Sequence, residues 1–495
     1  MEKQRRLTLF VILSLFVFSG LAQAADEATP EKEESEPVVM KEVVVTATRY
    51  EEEISTVPAN VTVIDEEDIE NSNAKNVPDL LSTEEGIVVR DLLGNGKTAQ
   101  VDLRGYGETA PYNTLVLVDG RRVNEIDLSG VDWTQIPLEQ IERIEIVRGT
   151  GTVLYGDNAS GGVINIITKT PSDKFRFKAG ALVGSYSRNK EEVSISGGHG
   201  NIAALLSGSY DSTNGYRENN EFRAMDVGGK IVYDPSEFLS LNLSGGYHSD
   251  DYGLPGELSE EQVAIDRRAA NNPFDEAESK DGYLKLLGDL DLGRYGSIVT
   301  DLSYRDRKIA SQFVSYSSAS NSEIKTWGIT PRYLWRGDIF NRPNTLIAGV
   351  DVYLADQDGK SFFGSPLALS GLADVERDAY GFYVNDEISL LGNLILSVGA
   401  RHQRVQYDLK QEDLLFGFAP LDDTVTHREN AYNAGLNFLY RGKSSVFVRA
   451  NRSFRFPLTE EIIVFDFETG QIQANPDLKP QTGTHYEVGA NHYFT

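Results

Sequence analysis

Beyond Pro171 the chain is a succession of segments in which apolar and polar residues alternate, and this pattern constrains the fold more than any other. In the stretch 239–244, leucine occupies every second position, with serine or asparagine between. Successive side chains of a strand point to opposite faces, so each segment has one apolar and one polar face. A soluble sandwich would need dozens of buried side chains on its inner face and would not usually place Gly, Ser, Asn and Arg on the other face of strand after strand. The pattern predicts a transmembrane antiparallel β-barrel.

The alternating segments number about 14 by the period-two criterion. They lie near positions 176, 191, 202, 222, 238, 281, 296, 323, 344, 376, 393, 428, 444 and 483. Short connections at 234–237 and 391–392 alternate with long ones at 250–278, 309–322 and 409–427. Outer-membrane barrels place short turns in the periplasm and long loops outside. Aromatic residues near the strand ends are candidates for the interfacial girdle: Tyr247, Tyr252, Tyr333, Trp335, Phe438 and Tyr440.

The N-terminus indicates export. Basic residues precede an apolar run from Leu7 to Phe18, and Ala22 and Ala24 frame a small-residue cleavage pattern. Residues 1–24 are therefore predicted to be a signal peptide, because the run is too short for a bilayer core of about 30 Å. The absence of cysteine fits an oxidising periplasm. A net charge of −28 argues against nucleic acid as a partner, since phosphates would be repelled.

A smaller domain of different character precedes the alternating region, over 54–170. The stretch 59–64 is strand-like, Asp65 and Asn76 are candidate helix N-caps, and Pro78 suits a first helical turn. Further apolar runs follow at 101–103, 115–118 and 163–167. Short strands mixed with short helices predict an α+β domain. Between the signal peptide and this domain, residues 25–53 form an acidic tether that ends in a β-branched block, EVVVTATRY.

These segments together resemble the TonB-dependent outer-membrane receptors over essentially the whole mature chain. EVVVTATR resembles the family's TonB box. Three stretches resemble its plug consensus: VDLRGYG (101–107), NTLVLVDGRRVN (113–124) and IERIEIVRGTGTVLYGDNASGGVINIITK (141–169). In the barrel, YGLPG (252–256) and NPDLKPQTGTHYEVG (475–489) resemble segments that recur in members. The resemblance implies a plug domain inside the barrel lumen and active uptake of a scarce, bulky ligand into the periplasm.

The resemblance also implies partners and ligand class. The ligand would be a ferric siderophore first, with cobalamin or a glycan as alternatives, and no cofactor is expected to stay bound. The TonB box would comprise seven residues: Glu42, Val43, Val44, Val45, Thr46, Ala47 and Thr48. We expect this segment to be mobile in the periplasm and to add to a sheet edge in TonB. The alternative is a structural strand that pairs locally within the plug.

Contacts between plug and barrel are expected at two arginines. Arg104 in LRG and Arg148 in VRG are predicted to face the barrel wall and pair with carboxylates there. The resemblance supports this, because family plugs carry arginines in both motifs that bond to barrel glutamates. Glu487 in HYEVG is the candidate barrel partner. The alternative for each is an ordinary solvated contact in the lumen.

The ligand site is predicted at the extracellular mouth, where plug apices meet barrel loops. The stretches 91–100, 106–113 and 124–133 are turn-rich and combine polar groups with Tyr106, Tyr112 and Trp133. Aromatic faces beside polar groups suit a large amphipathic chelate. Packing against the barrel is the alternative for each ring.

Catalysis has little support in the sequence. Neither H-E-x-x-H nor G-x-S-x-G occurs, and His485 and His492, an odd number apart, would face opposite sides of one strand. No metal site is predicted. The Gly-rich stretch at 149–156 is not a nucleotide loop, because no ribose-binding carboxylate follows at the required spacing. An exported all-β enzyme or adhesin is the competing class, and extraction as a soluble monomer would identify it.

Strand number raises an expectation about chain length. Plugged outer-membrane barrels of this type have about 22 strands, so about 8 would be absent here. The alternating region is therefore expected to be a C-terminally truncated barrel over 171–495, because an open sheet edge in lipid is very costly.

Overall fold

A computed structural model describes residues 43–44, 47–441, 444–466, 471–475 and 477–492. They belong to one compact unit, Val43–Thr495. The predicted signal peptide and most of the predicted tether lie outside the described residues. Among the helices described, none is long and apolar enough to cross a membrane.

The small domain follows directly on the tether and mixes strands with short helices. Its nine strands are β1 (Val43–Val44), β2 (Glu52–Glu53), β3 (Asn60–Ile64), β4 (Val88–Arg90), β5 (Gln100–Asp102), β6 (Thr114–Val118), β7 (Arg121–Arg122), β8 (Ile141–Arg148) and β9 (Gly162–Thr168). Its α-helices span Glu66–Asn71, Val77–Leu81, Ala110–Asn113 and Thr152–Tyr155. Single 3₁₀ turns span Ile54–Thr56, Gly107–Thr109, Trp133–Gln135 and Leu138–Gln140. The domain is α+β, as predicted.

A five-stranded sheet forms the centre of this domain. Its order is β3-β8-β9-β6-β7; β6 and β9 are parallel and the other neighbours antiparallel. Ile144, Ile146 and Ile164 lie in its main core, wholly shielded from solvent. The predicted caps are present: the carboxylate of Asp65 accepts from the Asp68 N–H, and the side chain of Asn76 accepts from the Asp79 N–H. Burial of the apolar faces and these caps therefore explain the local fold.

A single antiparallel sheet of 14 strands surrounds the small domain, in the order β10 to β22 followed by β25. Its strands are β10 (Arg176–Gly184), β11 (Arg188–His199), β12 (Ile202–Thr213), β13 (Phe222–Ser236), β14 (Leu239–Gly253), β15 (Glu276–Asp291), β16 (Ser297–Phe313), β17 (Ser318–Ile339), β18 (Arg342–Phe363), β19 (Ala368–Leu391), β20 (Leu394–Asp413), β21 (Leu421–Tyr440), β22 (Ser444–Arg455) and β25 (Gln481–Asn491). The predicted strand number is confirmed.

Alternation along the strands sorts side chains between the two faces of the sheet. On β20, Arg401, Val405 and Tyr407 are buried against the small domain, whereas Val398 lies on the exterior and is 40% exposed. Exposed leucines occupy the exterior of neighbouring strands, as at Leu284 and Leu302. The sheet thus presents an apolar exterior and a largely polar interior, the arrangement of a membrane barrel.

The two ends of the sheet differ in their connections. We call the end with the connections 237–238, 340–341 and 392–393 the turn end, and the end with 254–275 and 414–420 the loop end. Two predicted long loops are wrong: 309–322 and 409–427 are mostly strand, with only 314–317 and 414–420 outside β16, β17, β20 and β21. Neither missed stretch has a consistently apolar face: 318–322 reads SASNS, and 410–413 and 422–424 read KQED and DDT, which removes the period-two contrast.

The remaining elements lie in the loops and in one turn. Two short α-helices span Glu260–Ile265 and Thr459–Ile462, and β23 (Ile463–Asp466) pairs with β24 (Gln471–Ala474) outside the large sheet. Single 3₁₀ turns span Gly293–Tyr295 and Val314–Tyr316.

Candidate functional site

Part of the predicted TonB box pairs with the segment that follows it. Strand β1 pairs antiparallel with β2, so that Val43 lies opposite Glu53 and Val44 opposite Glu52. Glu42, Val45 and Thr46 lie outside the described residues, and Thr48 is buried. The β1–β2 pair is separate from the five-stranded sheet. The pairing described for Val43 and Val44 is thus local but lies within the predicted tether, and both the energy-coupling role and its alternative, a structural strand within the plug, remain predictions.

Arg49, directly after this segment, is inserted into the wall of the large sheet. Its Nη1 lies 2.9 Å from Asp351 Oδ1 and donates to the Tyr383 hydroxyl at 2.8 Å. The guanidinium also lies 4.5 Å from the centre of the Tyr155 ring. Asp351 is shared, because Arg401 Nη1 approaches its other oxygen at 2.7 Å. We call Arg49, Asp351, Arg401 and Tyr383 the Arg49 clasp. It ties the start of the small domain to β18, β19 and β20.

A second set of contacts attaches the next residues of the small domain to the large sheet, nearer the turn end. The Tyr50 hydroxyl donates to Glu387 Oε2 at 2.6 Å, and Arg336 Nη2 donates to the Glu51 carbonyl at 3.1 Å. Burial, followed by the negative charge of Glu387, raises the pKa of Glu52 to about 8. The raised pKa reflects the cost of placing two carboxylate charges side by side in a buried site.

Arg104 lies where the sequence placed it, beside a carboxylate of the large sheet. Its Nη2 is 2.8 Å from Glu487 Oε1, and Arg449, on β22, contacts the other oxygen of Glu487 at 2.8 Å. The Arg104 side chain is 41% exposed, so its share of the stabilisation is modest, whereas Arg449 is largely buried.

Arg148 differs from the prediction. Its guanidinium donates to Asn60, to Thr62 and to the Glu85 carbonyl, all within the small domain. Within the part of the chain that the structure describes, its main-chain carbonyl makes the hydrogen bond to the sheet, by accepting from Arg449 Nη2 at 3.1 Å. The reason is local: Arg148 ends β8, and its register partner Asn60 lies on the adjacent β3. The side chain therefore bridges two plug strands instead of reaching a barrel carboxylate.

The turn after β5 is organised by one carboxylate. Oδ1 of Asp102 accepts from the backbone N–H groups of Arg104, Gly105 and Tyr106 at 3.1, 2.8 and 3.0 Å, and Oδ2 accepts from Gly107 at 2.8 Å. Burial opposes ionisation, but these four hydrogen bonds outweigh it and hold the pKa of Asp102 below its ordinary value. Asp102 thereby fixes the loop that presents Arg104 to Glu487.

Lys97 attaches the 91–99 loop to the large sheet through a buried cluster. Its Nζ donates to Asp132 Oδ2 at 2.5 Å, to Asp250 Oδ2, and to Ser279 Oγ at 2.9 Å. His248 Nε2 lies 2.9 Å from Asp250. Asp132, His248 and Asp250 are close enough together to hold a metal ion. The Lys97 ammonium, however, already lies between the two carboxylates and compensates their charge.

The three candidate ligand residues have different surroundings. Tyr112 is half-buried near the loop end, and its hydroxyl donates to the Leu128 carbonyl at 3.0 Å. Tyr106 is half-buried and lines a cleft of about 420 Å³ with Arg104 and Glu487. Trp133 is only 2% exposed and belongs to the main core of the small domain, with Nε1 donating to the Ala99 carbonyl. The prediction for Trp133 is wrong, because the indole packs inside the domain instead of facing the mouth.

Arg49, Tyr50, Lys97 and Arg449 were not singled out from the sequence. Arg49 could have been selected from the sequence, because it is the last residue of the EVVVTATR block. The others are single charged or aromatic residues without a spacing pattern, and their partners are remote in the chain.

Comparisons with known proteins agree with this architecture. The family model described as TonB-dependent Receptor Plug Domain matches residues 53–163, and the model TonB dependent receptor-like, beta-barrel matches 209–495. The vitamin B12 transporter BtuB of Vibrio vulnificus (strain CMCP6) is 25% identical over 463 residues, covering 90% of this chain and 67% of that protein.

Solved structures show the same fold. The ferric citrate transporter FecA in its unliganded form has a TM-score of 0.76 at 19% identity, with 88% of this chain and 67% of that chain covered. The ferric yersiniabactin uptake receptor FyuA from Yersinia pestis has a TM-score of 0.74 at 15% identity, with 88% and 70% covered. The chain thus spans about two thirds of the length of these proteins. With a plug model and a barrel model together matching most of its residues, the chain belongs to the family of TonB-dependent receptors of the bacterial outer membrane.

Proposed function

We propose that this chain serves TonB-coupled uptake of a ferric siderophore across the outer membrane into the periplasm. The observation that carries the proposal is the buried attachment of the plug to the barrel wall. Lys97 and Arg49 bridge the two parts through carboxylates of the sheet: Asp250 lies near the loop end of β14, and Asp351 lies in the half of β18 nearer the turn end. A large ligand cannot pass a lumen filled in this way unless the plug moves, so transport requires work delivered to the plug.

The position of the Arg49 clasp supports delivery of that work from the periplasmic side. Arg49 follows the predicted box directly and lies towards the turn end, the periplasmic end of such barrels. A partner that adds a strand to the box and pulls would load Arg49 first. The contacts of Arg49 with Asp351 and Tyr383 are side-chain contacts and can break one at a time. TonB is the proposed partner, bound by strand addition.

The opposite face of the plug offers the ligand site. Tyr112 and the 45%-exposed Leu128 lie near the loop end, beside the loop helix that carries Glu460. Glu460 Oε2 accepts from the Leu128 N–H at 3.1 Å. An aromatic ring, an apolar side chain and polar groups together suit a bulky amphipathic chelate. Tyr106 is a second candidate, deeper along the barrel wall. Cobalamin is the alternative ligand, favoured by the similarity to BtuB.

Growth of a receptor-null strain tests the proposal. The strain would carry the gene for this protein and be supplied, one at a time, with a panel of ferric siderophores or with cobalamin as the limiting nutrient. Rescue by one ferric chelate, dependent on a functional tonB gene, is the expected result. Rescue by cobalamin alone would select the alternative ligand. Rescue that persists without TonB would contradict energy coupling.

A further inference from the structure

A cavity of about 50 Å³ lies between the plug and the barrel wall, apart from the candidate ligand residues. Plug residues around β7 and strands β16 to β19 enclose it. A water molecule needs about 10–15 Å³ of such volume, so there is room for a few waters or one small ion. The charged side chains in its lining are Arg121, Arg122, Arg305, Arg377, Glu125 and Asp157.

Arg121 is the residue in this lining whose charge is not matched. It is 7% exposed, and within the described part of the chain its Nε and Nη1 atoms are buried without a hydrogen-bond partner. Its guanidinium lies 4.1 Å from the centre of the Tyr283 ring, which covers one face but accepts no N–H in the plane. Leaving a buried charged donor unsatisfied is costly, so a ligand that accepts from it would be strongly favoured.

The neighbouring groups do not supply that acceptor. Arg305 is ion-paired with Asp281 and with Glu125, and Arg377 with Asp157. Arg122 donates to the backbone carbonyls of Tyr155 and Asp157, which carry no net charge. Four arginines and two carboxylates line the cavity, and the Asp281 carboxylate paired with Arg305 reduces the excess to one positive charge.

We propose that this cavity is a binding site for a small inorganic anion of the chloride class, held by Arg121 together with Arg122. Water could fill the space but would not compensate the charge. Guanidinium groups bind anions through several N–H donors in a fixed plane. A bound anion would accept from the free edge of Arg121 and connect the plug to β16 and β19. It would act as a structural ion that stabilises the docked plug.

Bromide substitution tests the site directly in the protein purified in detergent. Crystals grown with bromide in place of chloride should show an anomalous peak in the cavity beside Arg121, and the peak should disappear in Arg121→Met. Arg90→Met, which removes an exposed plug arginine, should retain it. Growth with sulfate as the only anion distinguishes a halide site from a general oxyanion site: the halide site should then contain no sulfate density. Absence of a bromide peak in wild type, or a peak unchanged in Arg121→Met, would overturn the proposal.

A solution measurement keeps the test independent of crystals. A ligand that binds only the folded state raises the thermal midpoint with its concentration. The midpoint of wild type should rise as chloride replaces gluconate at constant ionic strength, and the midpoint of Arg121→Met should not. Arg90→Met should follow wild type. Equal chloride dependence in wild type and Arg121→Met would show that the cavity holds water only.

Discussion

Replacement of Arg49 by methionine is expected to release the coupling segment from the barrel wall. Methionine keeps much of the side-chain volume but removes the contacts to Asp351 Oδ1 at 2.9 Å and to the Tyr383 hydroxyl at 2.8 Å. Asp351 keeps Arg401 as a partner, so the full cost of an unpaired buried charge does not apply. The two hydrogen bonds and the cation–π contact with Tyr155, reduced by the pairing that Asp351 keeps with Arg401, together contribute about 2–4 kcal/mol.

A free-energy change of this size has a measurable consequence. About 2–4 kcal/mol corresponds to a roughly 30- to 700-fold increase in the open population of the segment. Amide hydrogen exchange of a peptide covering residues 47–57 should accelerate by that factor, while peptides from the five-stranded plug sheet should not change. Arg336→Met is the matched control, because Arg336 contacts the same segment through the Glu51 carbonyl from an exposed position. It should accelerate exchange less than 10-fold, as expected for about 1 kcal/mol. Unchanged exchange in Arg49→Met would refute the role of the clasp.

Three further predictions concern the plug. Asp102→Asn should lower the free energy of unfolding above about pH 4, because the lowered pKa of Asp102 means that the folded state stabilises its ionised carboxylate. The difference from wild type should vanish as the pH falls through the folded-state pKa of Asp102. Urea titrations at several pH values test this, and a pH-independent difference would contradict it. Trp133→Ala should cost about 3–5 kcal/mol of stability without changing the ligand affinity of the folded receptor. Tyr112→Ala, in contrast, should weaken ligand binding. Equal effects of the two variants on ligand binding would place the indole at the ligand site. Gly156→Ala should lose more stability than Gly107→Ala. Both glycines have positive φ, +76° and +63°, but the Cβ added at Gly156 lies 2.8 Å from Arg401 Nε, whereas the one at Gly107 has no neighbour within 4 Å. Equal losses would show that the cost comes from the backbone conformation alone.

The strand pattern was predictable from the sequence where the two faces of the sheet differ in polarity. It failed at the loop end of β16 and β17, where 309–313 reads IASQF and 318–322 reads SASNS, so that neither face is consistently apolar. A pattern of period two needs a contrast, and a strand that leaves the lipid loses it.

The plug–barrel contacts were predictable only in part. Arg104 and Glu487 belong to recognisable motifs, and the structure places them 2.8 Å apart. Arg148 belongs to a motif as well, but its position at the end of β8 directs the side chain to β3. Arg49 and Asp351 are 302 residues apart in the chain. Their contact depends on how the sheet surrounds the plug, a long-range property that no local spacing encodes.

We infer that ligand binding at the loop end and energy input at residues 42–48 are separate functions of one receptor. Transport and binding of the rescuing ligand by Val44→Pro cells test it most directly, since proline removes a backbone donor from a strand that must pair with a partner. Val44→Ala, which keeps the donor, is the control. We expect Val44→Pro to abolish accumulation of labelled ligand while surface binding and barrel assembly equal those of Val44→Ala. Undiminished accumulation, or loss of surface binding together with accumulation, would contradict it.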